Sequence, residues 1–320
     1  MKGKVFLLVL LLSLNCTKPQ NEHAQYRVIG ICKLPGYPKG LDFYGNYLLV
    51  ANDQAGLQII NITVPSSPYL VSEYITQTRF VDVKVRDTFA YVACLDRGGL
   101  KIFSITRPEE PEELGNDPSF SGYKIYAPLN DSTTIYIAAG YWFLVQNVRD
   151  PIFTSYIKRW AIPGNARSVF VRDTLAFIAS EQMGVYVINI NAPSQSQSAI
   201  IGHIDTPGNA RDIFVKENYA YVADGLKGLS IIDVSNPETP RLVSTFDTRG
   251  YAQGIWIDGK LCYIADREGG MIVIKIDDPE NPTLYGIYRA PYTYNVKTKD
   301  NLIYLLDRDY GLIILEECRE

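Results

Sequence analysis

Residues 210–246 contain four short pieces. They read Ala210-Arg211-Asp212-Ile213-Phe214-Val215, then Tyr219-Ala220-Tyr221-Val222-Ala223-Asp224, then Gly228-Leu229-Ser230-Ile231-Ile232-Asp233-Val234. After a turn bounded by Pro237 and Pro240 comes Leu242-Val243-Ser244-Thr245-Phe246. Each piece is rich in Val, Ile, Tyr and Phe and is bounded by turn residues, the pattern of a β-strand. The glycine opening the third piece returns at Gly56, Gly99, Gly184, Gly270 and Gly311, with Trp142 in the remaining place, at spacings of 43, 43, 42, 44, 42 and 41 residues. Such a period with four strands per unit belongs to propeller blades rather than helical repeats. Seven units fill Tyr26 to Glu320, so the sequence predicts one all-β, seven-bladed β-propeller over residues 26–320.

The second strands align Tyr91, Tyr136, Tyr221, Tyr263 and Tyr304 with Leu49 and Phe177. Large apolar side chains at one depth are what face-to-face blades require, each stabilising by roughly 1.5–3 kcal/mol when fully buried. The recurrent glycines are expected to take a positive φ in the turn between second and third strands. Trp142 is not suited to that, so the third unit should have a shorter, different turn. The chain opens with a fourth-strand piece, Arg27 to Cys32, and closes with a third-strand piece, Gly311 to Leu315. The N-terminal strand is therefore expected to complete the last blade, which removes the open edges that invite aggregation. In that register Cys32 falls opposite about Ile313, and Cys318 near Arg27. That is too far for a Cys32–Cys318 disulfide. Cys94 and Cys262 lie in different blades, and four free thiols are expected.

The run Gly228 to Pro237, followed by Pro240 and Leu242-Val243, resembles the LVIVD repeat of bacterial and archaeal surface proteins. Gly270 to Pro282, Gly56 to Pro68 and Gly99 to Pro111 fit the same pattern, and Trp142 to Pro151 fits it more loosely. The resemblance covers nearly all of residues 26–320. It implies a propeller related to the YVTN and WD-type repeats and an extracytoplasmic setting, and it brings no catalytic motif.

The N-terminus agrees with export. Lys2 and Lys4 precede a short apolar run, Val5 to Leu14, too short to span a bilayer but suited to a signal peptide. Leu12-Ser13-Leu14-Asn15-Cys16 looks like a lipobox, although Asn15 departs from the usual small residue. The expected organisation is a signal peptide over 1–15, lipidation of Cys16, and a polar tether over 16–25. This places the protein in the cell envelope, lipid-anchored at the outer membrane, periplasmic face or cell surface. The formal net charge of −4 argues against a general nucleic-acid binder, which would carry a basic surplus.

Propeller ligands meet the loops at one end of the central channel. Here that end collects the fourth-to-first and second-to-third connections. The first set supplies Lys39, Arg79, Lys124, Arg167, Arg211 and Arg249, with Gln253, Tyr292, Tyr294 and Asn295 at or beside matching places. The second supplies Asp53, Asp96, Glu181, Asp224, Asp266, Asp307 and Asp309, expected further out. Two readings stand: a funnel for acidic glycans or carboxylate-bearing peptides with tyrosines as stacking surfaces, or arginines paired with aspartates of neighbouring blades. Asp82, Asp212, Asn295 and Ser168 share one depth in the innermost strands. Gly40, Gly254 and Tyr126 interrupt that ring, which favours capping of backbone amides over a metal. Only two histidines exist, His23 and His203, and no nucleophile, zinc or phosphate motif is present. The sequence thus points to no cofactor and no metal, and to a monomeric binding or scaffold module for a protein or polysaccharide partner. The alternative is an extracytoplasmic hydrolase or lyase using carboxylates and arginines in the funnel.

Overall fold

In the computed structural model, which describes residues 25–128 and 130–318, seven antiparallel sheets follow one another around a central axis. The chain is a seven-bladed β-propeller. The fifth blade is typical: Asp212–Lys216, Tyr219–Ala223, Leu229–Asp233 and Arg241–Phe246, in sequence order from the axis outward. The signal peptide, Cys16 and nearly all of the tether lie outside the described residues.

Closure occurs as the strand order implies. Tyr26–Cys32 pairs with Gly311–Glu317 and completes the seventh blade with Leu302–Asp307 and Thr293–Lys299. The register is one residue away from the expected one at Cys32, which faces Leu312, and two away at Arg27, which faces Glu316. The second of these steps is a bulge at Ile29, which places one extra residue on the outer strand. Beyond the pairing, Cys318 N donates to Gln25 O at 2.8 Å. Cys32, Cys94 and Cys262 are free and buried. The expectation of four free thiols fails at Cys318, which is disulfide-bonded. Unlike the other three it lies past the end of its strand and outside the core, where a partner can reach it. That partner is not among the described residues.

The core is divided among the seams between blades. Leu49, Ala51, Leu57 and Ile59 of the first blade meet Phe80, Val83, Val92 and Phe103 of the second, and similar clusters fill the other six seams. The aligned second-strand residues Leu49, Tyr91, Tyr136, Phe177, Tyr221, Tyr263 and Tyr304 are all buried. The turn glycines take positive φ, for example 77° at Gly56 and 74° at Gly228. They also lie against an outer-strand carbonyl, Tyr74 O and Phe246 O respectively, which leaves no room for a Cβ.

The third blade is the irregular one. Thr134–Asn147 runs unbroken through the place of the usual turn. Val148 N donates to Thr133 O at 2.8 Å, so the two halves of that segment fold back on each other around Gly140, at φ 66°. A two-residue turn replaces the longer loop of the other blades, and Trp142 needs no positive φ.

Candidate functional site

Innermost strands start at one face of the propeller and run away from it, and residues two apart point to the same side. Near their starts seven residues at one depth therefore form a waist around the axis: Gly40, Asp82, Lys124, Ser168, Asp212, Gly254 and Asn295, opposite Ala51, Ala93, Ala138, Ala179, Ala223, Ala265 and Leu306. The expectation of Tyr126 in this ring is corrected: Lys124 holds the place, and Tyr123 stands where Lys124 was expected. The short turn of the third blade leaves its connection without the spacing of its neighbours, which hid the offset.

Lys124 reaches across the channel. Its Nζ lies 3.1 Å from Asp212 Oδ2 of the fifth blade and 3.9 Å from Asp82 Oδ1 of the second. Burial alone would lower its pKa, but the coulombic pull of Asp212 and Asp82 more than offsets that and holds the ammonium well above its usual range. Asp212 also accepts from Ser168 Oγ at 2.6 Å, from its neighbour Ile213 N at 3.1 Å and from Ile255 N at 3.2 Å. With Lys124 these fill the four lone-pair sites of a carboxylate. Asp82 accepts from Ile125 N at 2.9 Å, and Asn295 Nδ2 donates to Lys39 O at 3.1 Å. Amide capping between blades is thus what the ring does. The two carboxylates that converge near the axis are held by an ammonium and by amides, which is the arrangement of a tie rather than of an acid–base pair.

Above the waist is a funnel of about 290 Å³. Lys39, Arg79, Arg167, Arg211, Gln253, Tyr292, Tyr294 and Asn295 all line it. Arg267 and Tyr123 belong to the same wall and were missed by the sequence reading. Arg267 follows Asp266 directly, at the turn position that Asp53, Glu181 and Gly225 hold in other blades, with φ 45° against 47°, 44° and 60°. Aligning Asp266 with Asp53 concealed it by one residue.

The charges are partly paired. Arg79 Nε meets Asp53 at 2.7 Å, and Glu181 Oε1 takes both Arg167 Nε at 2.5 Å and Arg211 Nη1 at 2.6 Å. Burial pushes Glu181 up, but the two guanidiniums and Asn165 hold its carboxyl below the usual range. Lys39 and Arg267 make no carboxylate pair among the described residues. Lys39 Nζ stands 3.4 Å from the centroid of Tyr294, and Arg267 lies 3.9 Å from that of Tyr251 while Nε donates to Gln253 Oε1 at 2.6 Å. Burial, with Arg79 and Arg267 nearby, lowers Lys39 to about 8. Arg167 covers Tyr123 at 4.2 Å. The tyrosine faces expected to be open for stacking are therefore partly covered by the funnel's own cations.

The expected outer carboxylates do not form one set. Asp224, Asp266 and Asp307 are fully buried inside their blades. They bond to turn groups such as Thr206 Oγ1, Thr248 Oγ1 and Tyr292 N, because each ends its second strand pointing into the loop that follows. Asp96 and Arg249 are exposed and outside the funnel wall, and Asp309 pairs with Arg308 at 2.8 Å. Histidine 203 lies on an outer strand, stacked on Tyr186 at 4.3 Å.

Among solved structures, the chain is similar to the computationally designed Ika8 protein, with a TM-score of 0.65 and 10% identity over 89% of this chain and 98% of that one. It is also similar to Raptor of Chaetomium thermophilum, with a TM-score of 0.75 and 11% identity, over 93% of this chain but 29% of Raptor. At such identities the likeness is one of fold. No curated protein matches the chain. The LVIVD repeat matches residues 35–76, 163–200, 207–248 and 249–290, which are the first, fourth, fifth and sixth blades. The second blade, whose Gly99 to Pro111 segment resembles the repeat, is not among the matched regions. With half of its length matched, the chain belongs to the LVIVD-repeat family.

Proposed function

We propose that the propeller is a non-catalytic binding module, tethered to the cell envelope through Cys16, that takes a carboxylate-bearing segment of a protein or polysaccharide into the funnel. The observation behind this reading is the uneven pairing. Six cations, Lys39, Arg79, Lys124, Arg167, Arg211 and Arg267, surround the channel mouth, whereas Asp53, Asp82, Glu181 and Asp212 are the carboxylates bonded to them. Low-dielectric walls lined by one sign of charge concentrate ligands of the other sign, and Lys39 and Arg267 remain to meet one. The test is a screen of the exported chain against acidic oligosaccharides and acidic peptides. Binding should be salt-sensitive, should weaken as pH rises through about 8 where Lys39 loses its charge, and should fall about tenfold in Arg267→Gln, the loss of about 1.4 kcal/mol. Binding indifferent to salt and to Arg267→Gln would remove the funnel from the account.

The anchor has its own test. Cys16→Ala should release the protein from membranes. A lipid thioether and a disulfide are exclusive uses of one sulfur, so non-reducing peptide mapping of Cys318 belongs beside it. Finding Cys16 as the partner of Cys318 would refute the anchor.

A further inference from the structure

A second cavity, of about 530 Å³, opens on the opposite face of the propeller. Lys124, Asp212 and Asn295 line both this cavity and the funnel, so the Lys124–Asp212 tie forms the waist between them. The wall is set by the residue two places beyond the waist in each innermost strand, which by the period of a strand also points to the axis. In blades three to six these are Tyr126, Phe170, Phe214 and Trp256. Their centroids are 5.0, 5.1 and 5.6 Å apart in succession, so they form a continuous arc. All four are half-buried, with ring surface left facing the cavity. In blades seven, one and two the same position holds Lys297, Asp42 and Lys84.

The charged half is not neutral. Asp42 accepts from Lys297 Nζ at 2.6 Å and from Val85 N at 2.8 Å. Lys297 also lies 5.2 Å from the Trp256 centroid, which closes the arc on that side. Lys84, beside Tyr126 at the other end of the arc, is half-buried and makes no ion pair within 4.0 Å among the described residues. Lys84 and Lys297 thus share the one carboxylate of Asp42, with Lys297 in contact with it and Lys84 acting on it from further away, which leaves an excess of positive charge at the end of a wall of aromatic faces. A cavity of this size, mostly apolar with a few placed polar groups, is of small-ligand dimensions. Flat rings prefer offset or edge contact with aromatic walls, and an ammonium in a half-buried site favours a single anionic group.

We propose that this cavity binds a small, flat aromatic carboxylate, with its ring against Phe170, Phe214 and Trp256 and its carboxylate toward Lys84. The site is separate from the funnel and independent of what the funnel binds.

The test is calorimetric titration of the full chain with 2-naphthoate, beside naphthalene-2-methanol, which lacks the charge, and cyclohexanecarboxylate, which lacks the ring. One site is expected for 2-naphthoate, with both controls about tenfold weaker. Lys84→Gln should weaken 2-naphthoate about tenfold and leave naphthalene-2-methanol unchanged, and Phe214→Leu should weaken both. Arg267→Gln, in the funnel wall, should change none of these, which separates this site from the proposed function. No binding at millimolar 2-naphthoate overturns the proposal. So does binding that survives Lys84→Gln, or binding lost in Arg267→Gln. Lys84 is not part of the core, so its variant carries the test if Phe214→Leu does not fold.

Discussion

Asp224 and Asp266 occupy one position in adjacent blades and differ by one hydroxyl. Asp224 accepts from Thr206 Oγ1 at 2.7 Å, Gly208 N at 3.0 Å and Ser230 Oγ at 2.8 Å. Asp266 accepts from Thr248 Oγ1 at 2.6 Å and is also favoured by the Gly250 amide, but the residue matching Ser230 is Ile272, and Asp266 Oδ2 lacks a well-formed hydrogen bond among the described residues. Burial raises both carboxyls, and at Asp266, where fewer donors offset it, the value reaches about 7 against 3.8 for the free side chain. Between those two values the folded chain keeps a proton that the unfolded chain has released. Stability attributable to Asp266 therefore falls as pH rises from about 4 to about 7 and is level above that. Melting temperatures across that window should show the decline, and Asp266→Asn, which cannot ionise, should flatten it. An unchanged slope in the variant would show that the carboxyl is ionised throughout.

The outer strands dock onto the following blade by a device that strand propensity alone does not display. In every blade the outer strand carries a bulge, followed at once in six of them by Gly30, Ser72, Gly115, Gly202, Ser244 or Gly286. Ser72 Oγ donates to Pro108 O and Ser244 Oγ to Pro279 O, each at 2.6 Å, across the seam. At three of the glycines the backbones touch instead, so that a Cβ on Gly30, Gly115 or Gly202 would collide with the carbonyl of Pro65, Pro151 or Pro237. In the third blade Lys158 takes the place and reaches Ile190 O at 2.8 Å, with Trp160 Nε1 on Pro193 O at 2.9 Å. Gly202→Ala should thus destabilise by about 1–3 kcal/mol through overpacking, and Ser244→Ala by about 1 kcal/mol through one lost hydrogen bond. Denaturant midpoints measure both, and a neutral Gly202→Ala would mean that the seam can open at no cost. The signal was present in the sequence as a Gly or Ser at one place in six of the seven fourth strands. It went unread because the apolar alternation of Leu242 to Phe246 looks regular without the bulge. The same one-residue sensitivity explains the misplacement of Lys124 and the overlooked Arg267, since propeller strands are short and each shift exchanges axis-facing for seam-facing residues.

At the scale of the ring, blade number and closure were legible because they depend on counting repeats and on which strand begins and ends the chain, quantities that a local shift does not disturb. The charge balance of the two channel mouths was not legible, because it depends on side chains from three blades meeting across the axis, as Lys124, Asp82 and Asp212 do. Closure also has the largest consequence. Residues 26–32 supply the pairing with Gly311–Glu317, the Arg27–Glu316 ion pair at 2.9 Å, the buried Cys32 in the seam between blades seven and one, and the docking of Gly30 on Pro65. Among the described residues every other strand is already placed in its own blade. Loss of residues 26–32 leaves Gly311–Glu317 as a bare edge, rich in Leu and Ile, and opens the adjoining seam. Deleting Tyr26–Leu34 should therefore yield a product that melts at lower temperature and elutes as aggregates in size-exclusion chromatography, because an unpaired apolar edge recruits further strands. The exposed ion pair contributes little to this, so Arg27→Ala should leave the elution profile of the intact protein and its stability nearly unchanged. A truncated chain that eluted like the intact protein and kept its melting temperature would mean that the ring holds together through its seams alone, and that the N-terminal strand is an ornament of the seventh blade rather than its lock.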